Sequence, residues 1–198
     1  MTFPQAASGG RARPGLRPWW PMLIAPAAMA VLAGLGALGL SRPELKRFLD
    51  GPAQSGSEWI APWLVAAAAT IFLLRAAVTR SPLSLILTAL SVALLLREIH
   101  FEWTHRGVFV MLAAVGLWAA AWRRRLRRPL RDVRQAAWLA GTLGAYFLAF
   151  LISRRAFRFV PGEGDLHNFL EEGMETVCHV MLIVTSLAGR WRRFAPPR

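Results

Sequence analysis

The stretch Glu171–Ser186, EEGMETVCHVMLIVTS, decides how the chain is read. It opens on paired carboxylates and runs without a break into an apolar segment, carrying Glu175 and His179 with it. On a helix of about 100° per residue, Glu171, Glu175 and His179 fall at i, i+4 and i+8 on one face, with Glu172 close beside them. Ionisable groups at bilayer depth are costly, and they face a bundle interior or a water-filled cavity. The stretch therefore predicts a membrane helix with a polar column at one end.

The rest of the chain agrees. Of its 198 residues 55% are hydrophobic and only 18% are charged, which excludes an ordinary soluble domain. Largely uncharged runs place spans at about 22–40, 59–79, 82–98, 108–122, 136–153 and 169–189. The expected fold is all-α: a six-transmembrane-helix bundle forming one membrane domain, 19–193. A polar, Pro- and Gly-rich tail, 1–18, precedes it and is expected to be disordered. A short tail, 194–198, follows. The first span reads as an uncleaved anchor, because the apolar run exceeds a usual signal h-region and its small-residue site is poor. Ser41–Glu58 reads as a loop with a short amphipathic piece, PELKRFL, and Arg75 is expected to snorkel from its span. Most of the nine Trp fall near span ends, as an aromatic belt requires. Cys178 is the sole cysteine, so no intrachain disulfide forms.

Charge sets the orientation. With the N-terminus in the cytoplasm, sixteen of the 24 Lys+Arg fall in cytoplasmic segments. This bias predicts N-in and C-in, in a bacterial inner membrane. The net charge of +13 would suggest nucleic acid in a soluble protein. Here the most basic segment, Arg123–Arg134, is a short connection between spans. It is read as contacting anionic lipid headgroups, with no nucleic-acid partner. Six short helices are compatible with a homo-oligomer, although no residue specifies one.

The acids and histidines cluster where the basic residues do not. Glu98, Glu102, Glu163, Asp165, Glu171 and Glu172 fall in two segments expected at the outer face, with Glu175 just inside the membrane. His100, His105, His167 and His179 lie in or beside the same two segments. On the third helix Ser84, Ser91, Glu98 and His105 recur every seven residues, with Thr88 and Glu102 near that line. The economical arrangement turns this stripe towards the sixth helix, with Thr142 and Tyr146 adding hydroxyls from the fifth.

Three functions fit a Glu/His site of this kind. The first is a membrane enzyme binding a divalent metal ion (zinc, iron or manganese), with ligands drawn from Glu98, Glu102, His105, Glu171, Glu172, Glu175 and His179. Glu102-x-x-His105 has the spacing of a di-iron carboxylate bundle, but that element is used twice in such bundles and occurs once here. The second is metal-free proton exchange between Glu175 and His179, as a catalytic pair or in a small proton-coupled transporter or channel subunit. The third is structural, with pairs such as Glu98/Arg97, Glu102/Arg106 and Glu171/Arg154 pinning the outer loops and Glu175–His179 satisfying each other. No Gly-rich phosphate loop, CxxC or HExxH is present.

Overall fold

The computed structural model describes residues 17–99, 104–158 and 163–189. Every regular element among them is helical. A 3-10 segment, Arg17–Leu23, leads into α1, Ile24–Ser41. Then come α2 (Pro43–Phe48), α3 (Gln54–Thr79), α4 (Pro82–Glu98) and α5 (Thr104–Ala121). The short α6 (Arg123–Leu126) precedes α7 (Val133–Ser153) and α8 (Glu163–Leu187).

Three stretches are long and apolar enough to cross a membrane: Pro18–Ser41, Pro43–Thr79 and Val133–Ser153. Their outward faces match that composition. Trp59 is 72% exposed, and Leu23, Trp63 and Phe147 are exposed with it, as are Val110 and Leu117 of α5. Apolar exposure on this scale is foreign to the surface of a soluble monomer.

Helix α8 sits at the centre and joins two cores. On one side Met174, Cys178 and Met181 pack with Ala25 of α1 and with Trp138, Ala145 and Ala149 of α7. On the other, Leu182 packs with Val65, Ala68 and Phe72 of α3 and with Leu83, Ile86 and Leu87 of α4. Close approach is built in at Gly141 of α7, where a Cβ would stand 2.7 Å from the Pro21 carbonyl oxygen. The N-terminal 3-10 segment can lie against α7 only because that side chain is missing.

Two expectations are corrected. Ser41–Glu58 is helical rather than a loop: α2 passes through a π-turn, Leu49–Ala53, straight into α3. Pro43 opens α2, where its missing N–H costs nothing, and the wider π-turn accommodates Pro52. Arg75 does not snorkel. It is 2% exposed and donates through Nη1 to the carbonyl oxygens of Ser186, at 3.0 Å, and Ala188. Its Nη2 donates to Gln135 Oε1 at 3.3 Å. The last carbonyls of a helix have no partner within it, and a cation is favoured at that end of the dipole. Arg75 therefore caps α8 from α3, steadied by α7.

Gly189 completes the cap. Its φ of +81° is the left-handed conformation that ends many helices, and a Cβ there would meet Arg75 Nη2 and Gln135 Oε1 at 2.9 Å. Arg75→Met is expected to cost about 1.5–3 kcal/mol, through buried carbonyls left without their charged donor. Gly189→Ala is expected to cost about 1–2 kcal/mol from the backbone alone. Thermal unfolding of the purified protein in mild detergent measures both, and an unchanged melting temperature in Arg75→Met would refute the capping role.

Candidate functional site

The polar cluster forms where the end of α4 meets the middle of α8. Helix α4 packs chiefly on α3 and α5, and its last turn delivers two consecutive charged residues to α8. Arg97 pairs through Nη2 with Glu175 Oε1. Glu98 Oε1 lies 3.7 Å from His179 Nε2, an ion-pair distance longer than a hydrogen bond.

Depth varies along the cluster. The Arg97 side chain is 45% exposed, Glu175 16%, Glu98 10% and His179 1%. Exposure thus falls from an open guanidinium to a buried imidazole. Beside that imidazole stands Tyr146 of α7, ring centroids 6.0 Å apart and planes inclined by 58°. His179 Nδ1 and the Tyr146 hydroxyl are both buried without a hydrogen-bond partner. Buried polar atoms in this state are uncommon in folded proteins and call for an explanation.

Carboxylates crowd the mouth. Glu172 lies within electrostatic reach of Glu175, Glu171 and Glu98 on one side and of Glu58, from the start of α3, on another. Glu171 is drawn to its own helix, 3.3 Å from His167 Nε2.

The expected column is therefore divided. Glu175 and His179 share a face of α8, but each finds its partner on α4. The local pair Glu175–His179 and the sequence-neighbour pair Arg97–Glu98 are replaced by Arg97–Glu175 and Glu98–His179. The hydroxyl stripe of α4 mostly serves its own backbone: Thr88 donates to the Ser84 carbonyl and Ser91 to the Leu87 carbonyl, both at 2.8 Å. Thr142 joins no cavity. Its Oγ1 shares a 2.7 Å hydrogen bond with Thr185 Oγ1 and donates to the Met181 carbonyl at 3.2 Å, tying α7 to α8.

Glu102, His100 and the side chain of His105 lie outside the described residues. Among the described residues no group of three or more His, Cys, Asp or Glu is placed to hold a metal ion.

Arg97, expected on its neighbour Glu98, is found on Glu175, and Glu58 is a participant that the sequence did not point to. Glu58 was hidden by reading its segment as a loop. No family model, curated protein or solved structure matches the chain.

The unpartnered hydroxyl and the paired one predict opposite responses. Tyr146→Phe removes a buried O–H that makes no hydrogen bond, so stability should hold or rise by up to about 1 kcal/mol. Thr142→Val breaks an interhelical bond and should lose about 0.6–1 kcal/mol. Parallel thermal melts decide, and a Tyr146→Phe protein less stable than Thr142→Val would show that the phenol has a partner after all.

Proposed function

We propose that the chain is a six-span protein of a bacterial inner membrane, with both termini cytoplasmic. Its α4–α8 site opens to the outer face and carries protons, as in a small proton-coupled transporter or channel subunit. The membrane reading is supported by the three long apolar stretches, the apolar exterior and the distribution of Lys+Arg between alternate connections.

One observation carries the proton reading. His179 is buried with Nε2 facing a carboxylate and Nδ1 without a partner. An imidazole so placed can accept a proton at Nε2 from the Glu98 carboxyl, and the resulting imidazolium stays compensated by the Glu98 carboxylate. Arg97 lies in the field of both Glu98 and Glu175. When Glu175 takes up a proton its pull on Arg97 fails, and the guanidinium is free to neutralise Glu98 instead. Proton occupancy at the mouth is thereby coupled to that at the buried end. The Tyr146 hydroxyl is the nearest spare donor on α7 for the same chain of groups.

A membrane enzyme built on zinc, iron or manganese is the competing reading. It uses the same carboxylates and His179, with Glu102 and His105 as further donors.

In proteoliposomes with an imposed pH gradient, Glu98→Gln and His179→Gln are each expected to reduce proton flux at least about tenfold. Thr88→Ala should leave it unchanged. Near-stoichiometric metal in the purified protein, lost in Glu175→Ala and His179→Ala, would replace proton transfer by a metal centre. Unaltered flux and folding in both Gln variants would leave only a structural role. Orientation has its own test. With Cys178 replaced by Ala, Ser41→Cys should react with an impermeant maleimide in intact cells, and Arg127→Cys only after permeabilisation.

A further inference from the structure

We propose that a second site, at the opposite end of α4 from the Glu/His cluster, binds one anionic phospholipid. The two ends of this helix are separated by about 25 Å, at 1.5 Å per residue. A cavity of about 900 Å³ opens between the α3–α4 turn and α6, at the upper end of the size of small-molecule sites. Arg80 reaches it from the turn, and Arg124, Arg125 and Arg128 reach it from the α6 segment. Among the described residues lining it there is no carboxylate. Arg80, Arg124 and Arg125 alone bring three guanidinium groups together from two distant parts of the chain, a charge pattern that suits an anion.

The remaining wall is apolar. Leu73 and Ala77 of α3 and Leu85 of α4 line it, with Trp122 at the edge. Leu73 is 54% and Leu85 39% exposed, so this apolar wall lies open rather than sealed within the bundle. A free phosphate has no use for such a wall, whereas an acyl chain does. This decides between the two sources of a phosphate and commits the site to a lipid.

Two local details favour a built site over a loose basic surface. The Arg125 guanidinium is held over the Trp122 ring, 5.0 Å from its centroid, which fixes its plane. Arg80 adopts φ +52°, where glycine would be unstrained, and so the turn presents a long cationic side chain at a backbone cost. Planar guanidinium groups recognise phosphate oxygens in pairs, and basic pockets between membrane helices hold anionic headgroups in this way. The proposal rests on the membrane reading for the origin of its ligand, but not on proton transfer at the other end.

Native mass spectrometry of the full chain in neutral detergent tests it, with phosphatidylglycerol, cardiolipin and phosphatidylcholine as separate probes. Retention of one phosphatidylglycerol or cardiolipin at about tenfold lower concentration than phosphatidylcholine is expected. Arg80→Gln with Arg125→Gln should weaken that retention about tenfold or more, while Arg127→Gln with Arg131→Gln, outside the cavity, should not. Equal weakening by the two double variants would reduce the effect to diffuse surface charge and overturn the site. Full displacement of the lipid by equal concentrations of inorganic phosphate or glycerol phosphate would make it a soluble-anion site and overturn the commitment to lipid. Glu98→Gln and His179→Gln should retain the lipid, so failure of proton flux leaves this result standing.

Discussion

A guanidinium buried against the end of α8 sets the frame for everything else. The final carbonyls of that helix lie among apolar side chains, where an unbonded oxygen is expensive. Arg75 has donors enough to serve two of them and still hold Gln135, so one side chain locks α3, α7 and α8 at a common end. Gly189 leaves the space in which it does so. With that end fixed, the direction of α8 is fixed, and the positions of its polar residues follow. His179 lies about 10 Å and Glu175 about 16 Å along the axis from Ser186, at 1.5 Å per residue.

The crossed pairing at the far end is a consequence of reach. Arg97 and Glu98 are adjacent on α4 and diverge by about 100° around it. The longer side chain extends to the more exposed carboxylate, and the shorter one stays with the buried imidazole. Opposite charges meet across the gap between α4 and α8, while Glu171, Glu172 and Glu175 crowd one another along α8. A buried ion pair of this kind is weak evidence for stability, because desolvation offsets most of its Coulombic gain. Arg97, in the field of both Glu98 and Glu175, has an alternative partner. Thr142–Thr185, in contrast, involves only hydroxyls and main-chain carbonyls and belongs to packing.

The helices were legible because their cause is local. Uncharged runs, Pro82 at a first helical position and the Asp132 side chain accepting from the Arg134 and Gln135 amides are all marked in the sequence. The expected span 82–98 coincides with α4 for this reason. Ser41–Glu58 was misread because its Gly and Pro residues usually punctuate, and nothing local reveals that a π-turn will absorb them. Periodicity also placed Glu175 and His179 on one face, yet a face does not name its neighbour. Hence the partner of Arg97 and the presence of Glu58 are not legible from it, nor is the burial of Arg75. The hydroxyl stripe of α4 misled in a different way: Ser and Thr on a buried helix can satisfy themselves on their own carbonyls, so their alignment need not mark a cavity.

On the proposed six-span reading, helix length connects the two ends of α4 to the bilayer. Its 17 residues span about 25 Å, short of a hydrocarbon core of about 30 Å. Neighbouring α5 is only one residue longer. A short hydrophobic helix is accommodated by thinning of the bilayer and by flanking residues that reach outward. The flanks here are suited to that: Arg80 before α4, Arg97 at its end and the Arg123–Arg125 run just after α5. If α4 spans as proposed, thinning beside it would draw headgroups towards the arginine-lined cavity on one side and towards Arg97 on the other. The proposed lipid site and the proposed proton site would then both sit where a short span brings the bilayer surface closest.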